Sequence, residues 1–436
     1  MMKIQATFLA LVLLLPPAVD AATRTVGPSD CSAATVNAAI SASSDGDTVT
    51  LTCSGTVTWT STVSIPNTKG INLIGPGNNT PKSSASFPLV IVTNAAPGIS
   101  IVAENGLKFS RISGFKFQRS STGQLIKVTG RGMGADGLGA YRIDNNYFDH
   151  ANGDQIIFHD GSAGELTGLI DNNTFLDVGV NQGVYVIMVR ESFKGGTTAC
   201  YGWDAWQRPF AFGSRDFLFI EDNLFSRPST EGRHDVSSDG AGGKYVVRYN
   251  TFNRTFVSGY QLDYIDAHGD GTPGLGTGAR GGEFYANTFQ GSSGAVGRNF
   301  SIRGGQFLIY DNTFTAGSPI AFTEYRASTS DCTQMQTPSA CNPGVPQCAT
   351  PASFSSWYPL PGQIRQTYVW NNKQGGALVA PTVSGEANVP LYIQSNRDYF
   401  SSSTKPTALS SYTPYPYPHP LRGGTLPAPQ NLHVAP

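Results

Sequence analysis

With 436 residues, of which 14% are charged, 50 are glycine and 28 are proline, the chain is turn-rich and poor in the lysine and glutamate that clothe surface helices, so an all-helical fold is disfavoured. Its formal net charge of −1 excludes a broad electrostatic footprint for nucleic acid.

The first residues, Met1-Met2-Lys3, an apolar run from Phe8 to Leu15, Pro16-Pro17 and Val19-Asp20-Ala21, have the order of a secretory signal cut after Ala21. The expectation is a signal over 1–21 and an exported mature chain. The apolar run is too short to span a bilayer, and no later segment is long enough, so no membrane span is expected. In an exported chain the six cysteines favour disulfides. Cys31 and Cys53 flank a short helical stretch and are expected to pair. The connectivity of Cys200, Cys332, Cys341 and Cys348 is left open, with zinc as a minor alternative for the last three.

Residues Ser32 to Ala42 predict that helix, and Asp45-Gly46 a turn into a strand ending at Leu51. Such a lid suits the open end of a stack of strands. Weak strand signals follow at Ile71–Ile74, Leu89–Val92 and Ile112–Phe117.

From residue 143 a phrase recurs: an apolar residue, two variable positions, Asn, one variable position and Phe. It runs Ile143–Phe148, Ile170–Phe175, Ile220–Phe225, Val247–Phe252, Phe284–Phe289 and Ile309–Phe314. The asparagines fall at 146, 173, 223, 250, 287 and 312, giving steps of 27, 50, 27, 37 and 25 residues. A unit of 25 to 27 residues with insertions fits if 50 is a double step, and periods of this size mean stacked repeats. The flanking runs, such as Val184–Val189 and Lys244–Val247, are β-branched and aromatic, so each unit is built of strands. The prediction is all-β: a right-handed parallel β-helix, a solenoid of about nine or ten coils over 22–400 with an N-terminal helical cap. Each Asn amide then donates to its equivalent in one neighbouring coil and accepts from the other, satisfying buried polar groups. A Cys- and Pro-rich excursion near 328–361 interrupts the stack, and 401–436 is a Pro-rich tail that reads as extended and coreless.

The segments Ala38-Ala39-Ile40, Asp45-Gly46-Asp47-Thr48-Val49 and Thr56-Val57-Thr58-Trp59, the Asn-x-Phe phrases and the ending Tyr415-Pro416-Tyr417-Pro418-His419-Pro420 together resemble exported bacterial parallel β-helix proteins of the pectate-lyase-like superfamily. The resemblance covers nearly the whole mature chain. It implies the fold and a polysaccharide partner, but not one chemistry, because that superfamily includes polyuronate lyases, glycoside hydrolases, esterases and binding proteins.

Alternation along strands permits outward columns to be counted from the Asn register. Two residues before each Asn stand Asp144, Asp171, Glu221, Arg248, Tyr285 and Tyr310, of which Glu221, Arg248, Tyr285 and Tyr310 are candidate substrate-binding residues: aromatic rings suit a sugar face and charges its hydroxyls. One strand later come His159, Arg190, His234, His268 and Arg303, a basic ridge suited to a carboxylate-bearing chain. His159 and Arg190 are assigned to substrate binding. The stretches Arg233–Asp239 and Asp263–Asp270 gather His, Asp and Arg at one height, and His234, His268, Arg303, Arg280, Asp235 and Asp266 are the candidate catalytic residues: His for proton transfer, Arg to neutralise a uronate, Asp to orient imidazole. Lyases of the resembled superfamily often use calcium, so Ca2+ is the implied cofactor, with Asp235, Asp239, Asp263 and Asp270 as hard oxygen donors. An exported polysaccharide lyase acting on an acidic glycan by β-elimination is the expectation. An inverting glycoside hydrolase using two of the Asp residues, a non-catalytic carbohydrate-binding or adhesion protein, and a filament subunit stay open beside it.

Overall fold

The computed structural model describes residues 21–80, 82–104, 108–119, 122–131, 139–151, 154–161, 164, 166–178, 185–191, 210–228, 234–238, 242–255, 263–268, 278–292, 297–323, 363–383 and 392–423. The signal-like residues 1–20, the excursion at 328–361, Cys200, Cys332, Cys341 and Cys348 therefore lie outside the described residues. Short strands build three sheets of 12, 11 and 10 strands, visited in turn by the chain. All registered pairs are parallel except a terminal hairpin at Lys373–Gln374 and Ala377–Leu378. Three parallel sheets wound in sequence are a parallel β-helix.

The corner between the 12- and 11-stranded sheets carries the repeated Asn. Asn146 Nδ2 donates to Asn173 Oδ1 at 3.1 Å, Asn173 to Asn223 at 3.1 Å, Asn223 to Asn250 at 3.0 Å, Asn250 to Asn287 at 3.1 Å and Asn287 to Asn312 at 3.0 Å. Asn312 continues the ladder to Asn372 at 2.9 Å. Each Oδ1 also accepts the backbone N–H of the preceding ladder Asn. The two-residue corner demands a left-handed backbone just before each Asn, with φ of 53° at Asn145, 57° at Tyr249 and 55° at Ala286; Asn and Asp tolerate it, whereas Tyr and Ala pay for it.

The Asn173 to Asn223 contact corrects one expectation. The 50-residue step is a single coil with a long insertion, and the strands on either side pair directly across it. The same holds for the 60 residues from Asn312 to Asn372. Insertions leave from corners other than the Asn corner, so they lengthen the period without displacing the ladder.

Two positions after each Asn from Asn146 to Asn312, a Phe points inward, and Phe148, Phe175, Phe225, Phe252 and Phe289 stack with centroids 4.6 to 4.8 Å apart. This repeats the strand spacing and buries an aromatic spine along the solenoid. At the N-terminal end, the helix Ala33–Ala42 starts where the Ser32 side chain accepts from Thr35 N. It buries Ala33, Val36 and Ile40 in the main core. Cys31 and Cys53 are disulfide-bonded, and Trp59 Nε1 donates to Cys31 O at 2.9 Å.

Candidate active site

The outer column of the 12-stranded sheet is in register as counted. Asp144, Asp171, Glu221, Arg248, Tyr285 and Tyr310 are successive Cα partners. This face is closed, however. The segment 403–423 lies over it: Arg248 donates to Tyr415 O at 2.6 Å and Pro416 O at 2.8 Å, Arg422 Nε to Glu221 Oε1 at 2.8 Å, and Tyr412 OH to Glu283 Oε2 at 2.5 Å. Tyr310 and Tyr412 hydroxyls meet at 2.9 Å. Glu221 and Arg248 are fully buried and paired at 2.7 Å. Glu221, Arg248 and Tyr310 thus bind the chain's own tail, and Tyr285 is buried beside them, stacked on Tyr310. The tail is correspondingly not coreless: Tyr412 and Leu421 join a second hydrophobic cluster with Phe217, Phe219 and Trp370, and His419 is buried against Phe219, 4.5 Å between ring centroids.

The 10-stranded sheet has a different rhythm. In its strands Gln155–Asp160 and Tyr185–Arg190, and where the strand Ile265–Ala267 begins, two consecutive residues enter the core: Ile156 and Ile157, Val186 and Ile187, and Tyr264 and Ile265. After that pair the alternation resumes, so three outward columns result. Gln124, Gln155, Tyr185 and His234 form one. Lys127, Phe158, Met188, Ser237, Asp266 and Ser301 form the next. Asp160 and Arg190 begin the third, and His268 and Arg303 continue it just past the strand ends, where His268 N donates to Ser238 O and Arg303 N to Ala267 O.

On this face the ionisable groups converge. His234 Nε2 lies 3.7 Å from Asp266 Oδ2, Arg303 Nε 3.1 Å from Asp266 Oδ1, and Arg303 Nη1 3.5 Å from His268 Nε2. Arg298 Nε donates to Asp263 Oδ1 at 2.9 Å. His234, Asp263 and Asp266 are all buried. Burial lowers the His234 pKa below its ordinary value, against the pull of Asp266 and Asp263, so the imidazole is neutral at neutral pH. Burial likewise raises the Asp263 carboxyl, against His234. Among the described residues, His234 Nδ1, Ser237 Oγ and both Asp266 oxygens are buried without a hydrogen bond, the Arg303 approach to Asp266 being an ion pair off the hydrogen-bonding line. Buried polar atoms left this way are costly and ask for a functional reason.

Four of the six expected catalytic residues, His234, His268, Arg303 and Asp266, therefore meet. Asp235 does not join them. It belongs to the inward pair of its strand and is held by Arg227 at 3.0 Å and Arg254 at 3.3 Å, as the interior placement of a carboxylate requires. Arg280 carries its guanidinium 5.3 Å over the Phe210 ring, beside the 12-stranded sheet. His159 points inward too, fully buried between Tyr141 OH at 2.8 Å and Glu191 Oε1 at 2.6 Å, so it is not on the ridge. Arg190 shares the outer face. Of the supposed calcium ligands, Asp235 and Asp263 are each neutralised by arginine, while Asp239 and Asp270 lie outside the described residues. Among the described residues no three His, Cys, Asp or Glu are grouped to hold a metal. Sequence counting missed Tyr185, whose ring stacks on His234 with centroids 5.5 Å apart, and Ser237; counting from each strand's own apolar pair would have found both.

No family model matches the chain, and no curated protein matches it. Among solved structures it is similar to an alginate lyase from Paenibacillus sp. str. FPU-7, at 12% identity over 84% of this chain and 99% of that one, TM-score 0.37. It is similar also to the PL6 family polysaccharide lyase Pedsa3628 from Pseudopedobacter saltans, at 12% identity over 90% and 95%, TM-score 0.36. A third, the PL6 family alginate lyase AlyGC, shares 12% identity over 92% of this chain and 57% of its own length, TM-score 0.39. The β-helix described above rests on this chain's own strand register and not on these distant likenesses.

Proposed function

We propose that this protein is an exported polysaccharide lyase that cleaves a uronate-containing glycan by β-elimination on the outer face of the 10-stranded sheet. The observation that carries the reading is the convergence of His234, Asp266, His268 and Arg303 on that face, while the tail seals the face of the 12-stranded sheet. Arg303 turns positive charge toward the uronate carboxylate, which acidifies the neighbouring C–H. Neutral His234 takes that proton, and Asp266 stabilises the imidazolium that forms. The electrons of the broken C–H bond become the new C=C bond, the glycosidic C–O bond breaks, and His268 protonates the departing oxygen.

The aromatic column that suggested a binding module lies under the tail, and the described part of the tail lies on the chain's own sheet. The Cys31–Cys53 disulfide accords with export, and no described helix is long and apolar enough to cross a membrane. The test is incubation of purified protein with a panel of polyuronates, alginate and pectate included, with and without calcium. The ultraviolet absorbance of unsaturated uronic ends should grow on at least one of them. Saturated products, or none from the whole panel, would overturn the proposal.

A further inference from the structure

We infer that two segments remote from each other in sequence are straps that fasten the coils together, and that Asp222 pins one strap to the other. In a stack of repeats each coil contacts only its neighbours and can open locally. The straps add contacts between residues as far as 93 and 280 positions apart.

The first strap is the connection between the strands Asn72–Ile74 and Leu89–Thr93, which runs along the Asn corner instead of turning it in two residues. Gly77 N donates to Gly114 O at 2.9 Å, and the Phe87 ring packs on Tyr147 with centroids 5.8 Å apart. Buried Asn79 donates Nδ2 to Asn172 O at 2.6 Å, and Lys82 Nζ donates to Asp222 O at 2.6 Å. These partners stand at the corners of successive coils. Gly114 is required beneath this strap, because its φ is 81° and a Cβ would meet Gly75 O at 2.7 Å and Gly77 O at 2.8 Å.

The second strap is the tail. It leaves the 12-stranded sheet where Tyr399–Ser402 pairs with Thr367–Trp370 and returns over that sheet as far as Arg142, whose Nη1 donates to Arg422 O at 3.1 Å. Both straps reach Asp222: its carbonyl accepts Lys82, while its carboxylate accepts Tyr417 OH at 2.9 Å and pairs with Arg422. Tyr417 also stacks on Tyr249, the next corner residue, with centroids 3.9 Å apart. The coils that carry His234, Asp266 and Arg303 on the 10-stranded sheet begin with the strands Leu218–Glu221, Lys244–Arg248 and Gly281–Tyr285 on the 12-stranded one. The tail holds Glu221, Arg248 and Glu283 there, and so fixes from behind the spacing of the converging groups.

The experiment is native-state hydrogen exchange on the full chain, read at the His419 N–H, which donates to Glu221 Oε1 at 3.1 Å when the tail is docked, and at the Gly77 N–H of the first strap. Asn79→Ala loosens the first strap at Asn172 and Thr174 and should raise exchange at His419 at least about twofold, the lower end of coupling through a shared partner. By reciprocity Tyr417→Phe, which removes one hydrogen bond at an exposed residue and is expected to fold, should raise exchange at Gly77. Asp222→Gly takes away the carboxylate at no backbone cost, since φ there is 57°, and in that background Asn79→Ala should leave His419 unchanged. Ile91→Val, a core change in the strand that the first strap leads into, controls for general loosening and should not move His419. Unmoved exchange at His419 in Asn79→Ala or at Gly77 in Tyr417→Phe, or an equal rise at His419 in the Asp222→Gly background or from Ile91→Val, overturns the inference. Exchange is read without substrate, so the result stands apart from the lyase reading.

Discussion

Truncating one ladder residue, Asn250→Ala, puts the Asn corner under direct strain. The Asn250 amide donates to Ile220 O at 2.9 Å, Arg248 O at 3.0 Å and Asn287 Oδ1 at 3.1 Å, and its Oδ1 accepts Asn223 N at 2.9 Å and Asn223 Nδ2 at 3.0 Å. The Asn287 oxygen keeps the backbone N–H of residue 250, and the Asn223 amide keeps Ile170 O and Glu221 O. The group stranded outright is the Asn223 N–H, while Ile220 O sits in a strand paired with Lys244–Arg248. One buried group predicts a loss of about 1 to 3 kcal/mol. Since stacked repeats can open locally, the measurement is amide hydrogen exchange at Asn223 alongside urea unfolding. Protection at Asn223 should fall at least about fivefold. Asn253→Ala, one rung position away but on the outer face of its strand, should change stability by less than about 0.5 kcal/mol. Equal effects from the two substitutions would refute the ladder as a source of stability.

The corner backbone offers a substitution of opposite sign: Ala286 sits at φ 55°, so Ala286→Gly should raise stability by about 0.5 to 1 kcal/mol after the entropy of glycine is deducted, seen as a higher melting temperature, and a lower one would contradict it. The docked tail should respond to acid through His419, whose pKa is brought down to about 3 by burial and then by Arg248, Arg422 and Arg142. A released imidazole titrates near 6.5, so between about 6.5 and 3 the released tail holds a proton that the docked tail lacks. Docking is therefore at full strength above pH 6.5 and weakens as pH falls, by at most about 1.4 kcal/mol per unit. Asp171, pushed up to about 6 by burial, works the other way below that pH, so the readout is the difference between wild type and His419→Gln in limited proteolysis of the tail; identical pH profiles would exclude His419 as the cause.

Much of the fold was legible because the Asn phrase is both the repeat marker and the corner that fixes register. The 50-residue step misled because an insertion at another corner is invisible to a ladder that continues past it. The column from Asp144 to Tyr310 was aligned by the same count, but its cover was hidden: Tyr412, Tyr415, His419 and Leu421 follow no period, since an extended segment crossing several coils takes its spacing from the surface below. His159 and Asp235 were misplaced for a local reason. Counting outward positions from the Asn assumes strict alternation, and the inward pairs at Ile156-Ile157 and Asp235-Val236 shift it by one. His234, His268 and Arg303 were still brought together because long side chains on neighbouring rungs tolerate that shift, and Asp266 joined them from the same strand as Ile265.

The central claim is that neutral His234 removes a proton on this face. Its most direct test is the steady-state rate of His234→Ala and wild type on whichever polyuronate yields unsaturated ends, with folding checked by melting. Loss of a general base predicts a fall in kcat of at least about 100-fold, and because burial lowers the His234 pKa, the acidic limb of the wild-type profile should fall below pH 6.5. A folded His234→Ala protein that forms unsaturated ends as fast as wild type would contradict the account.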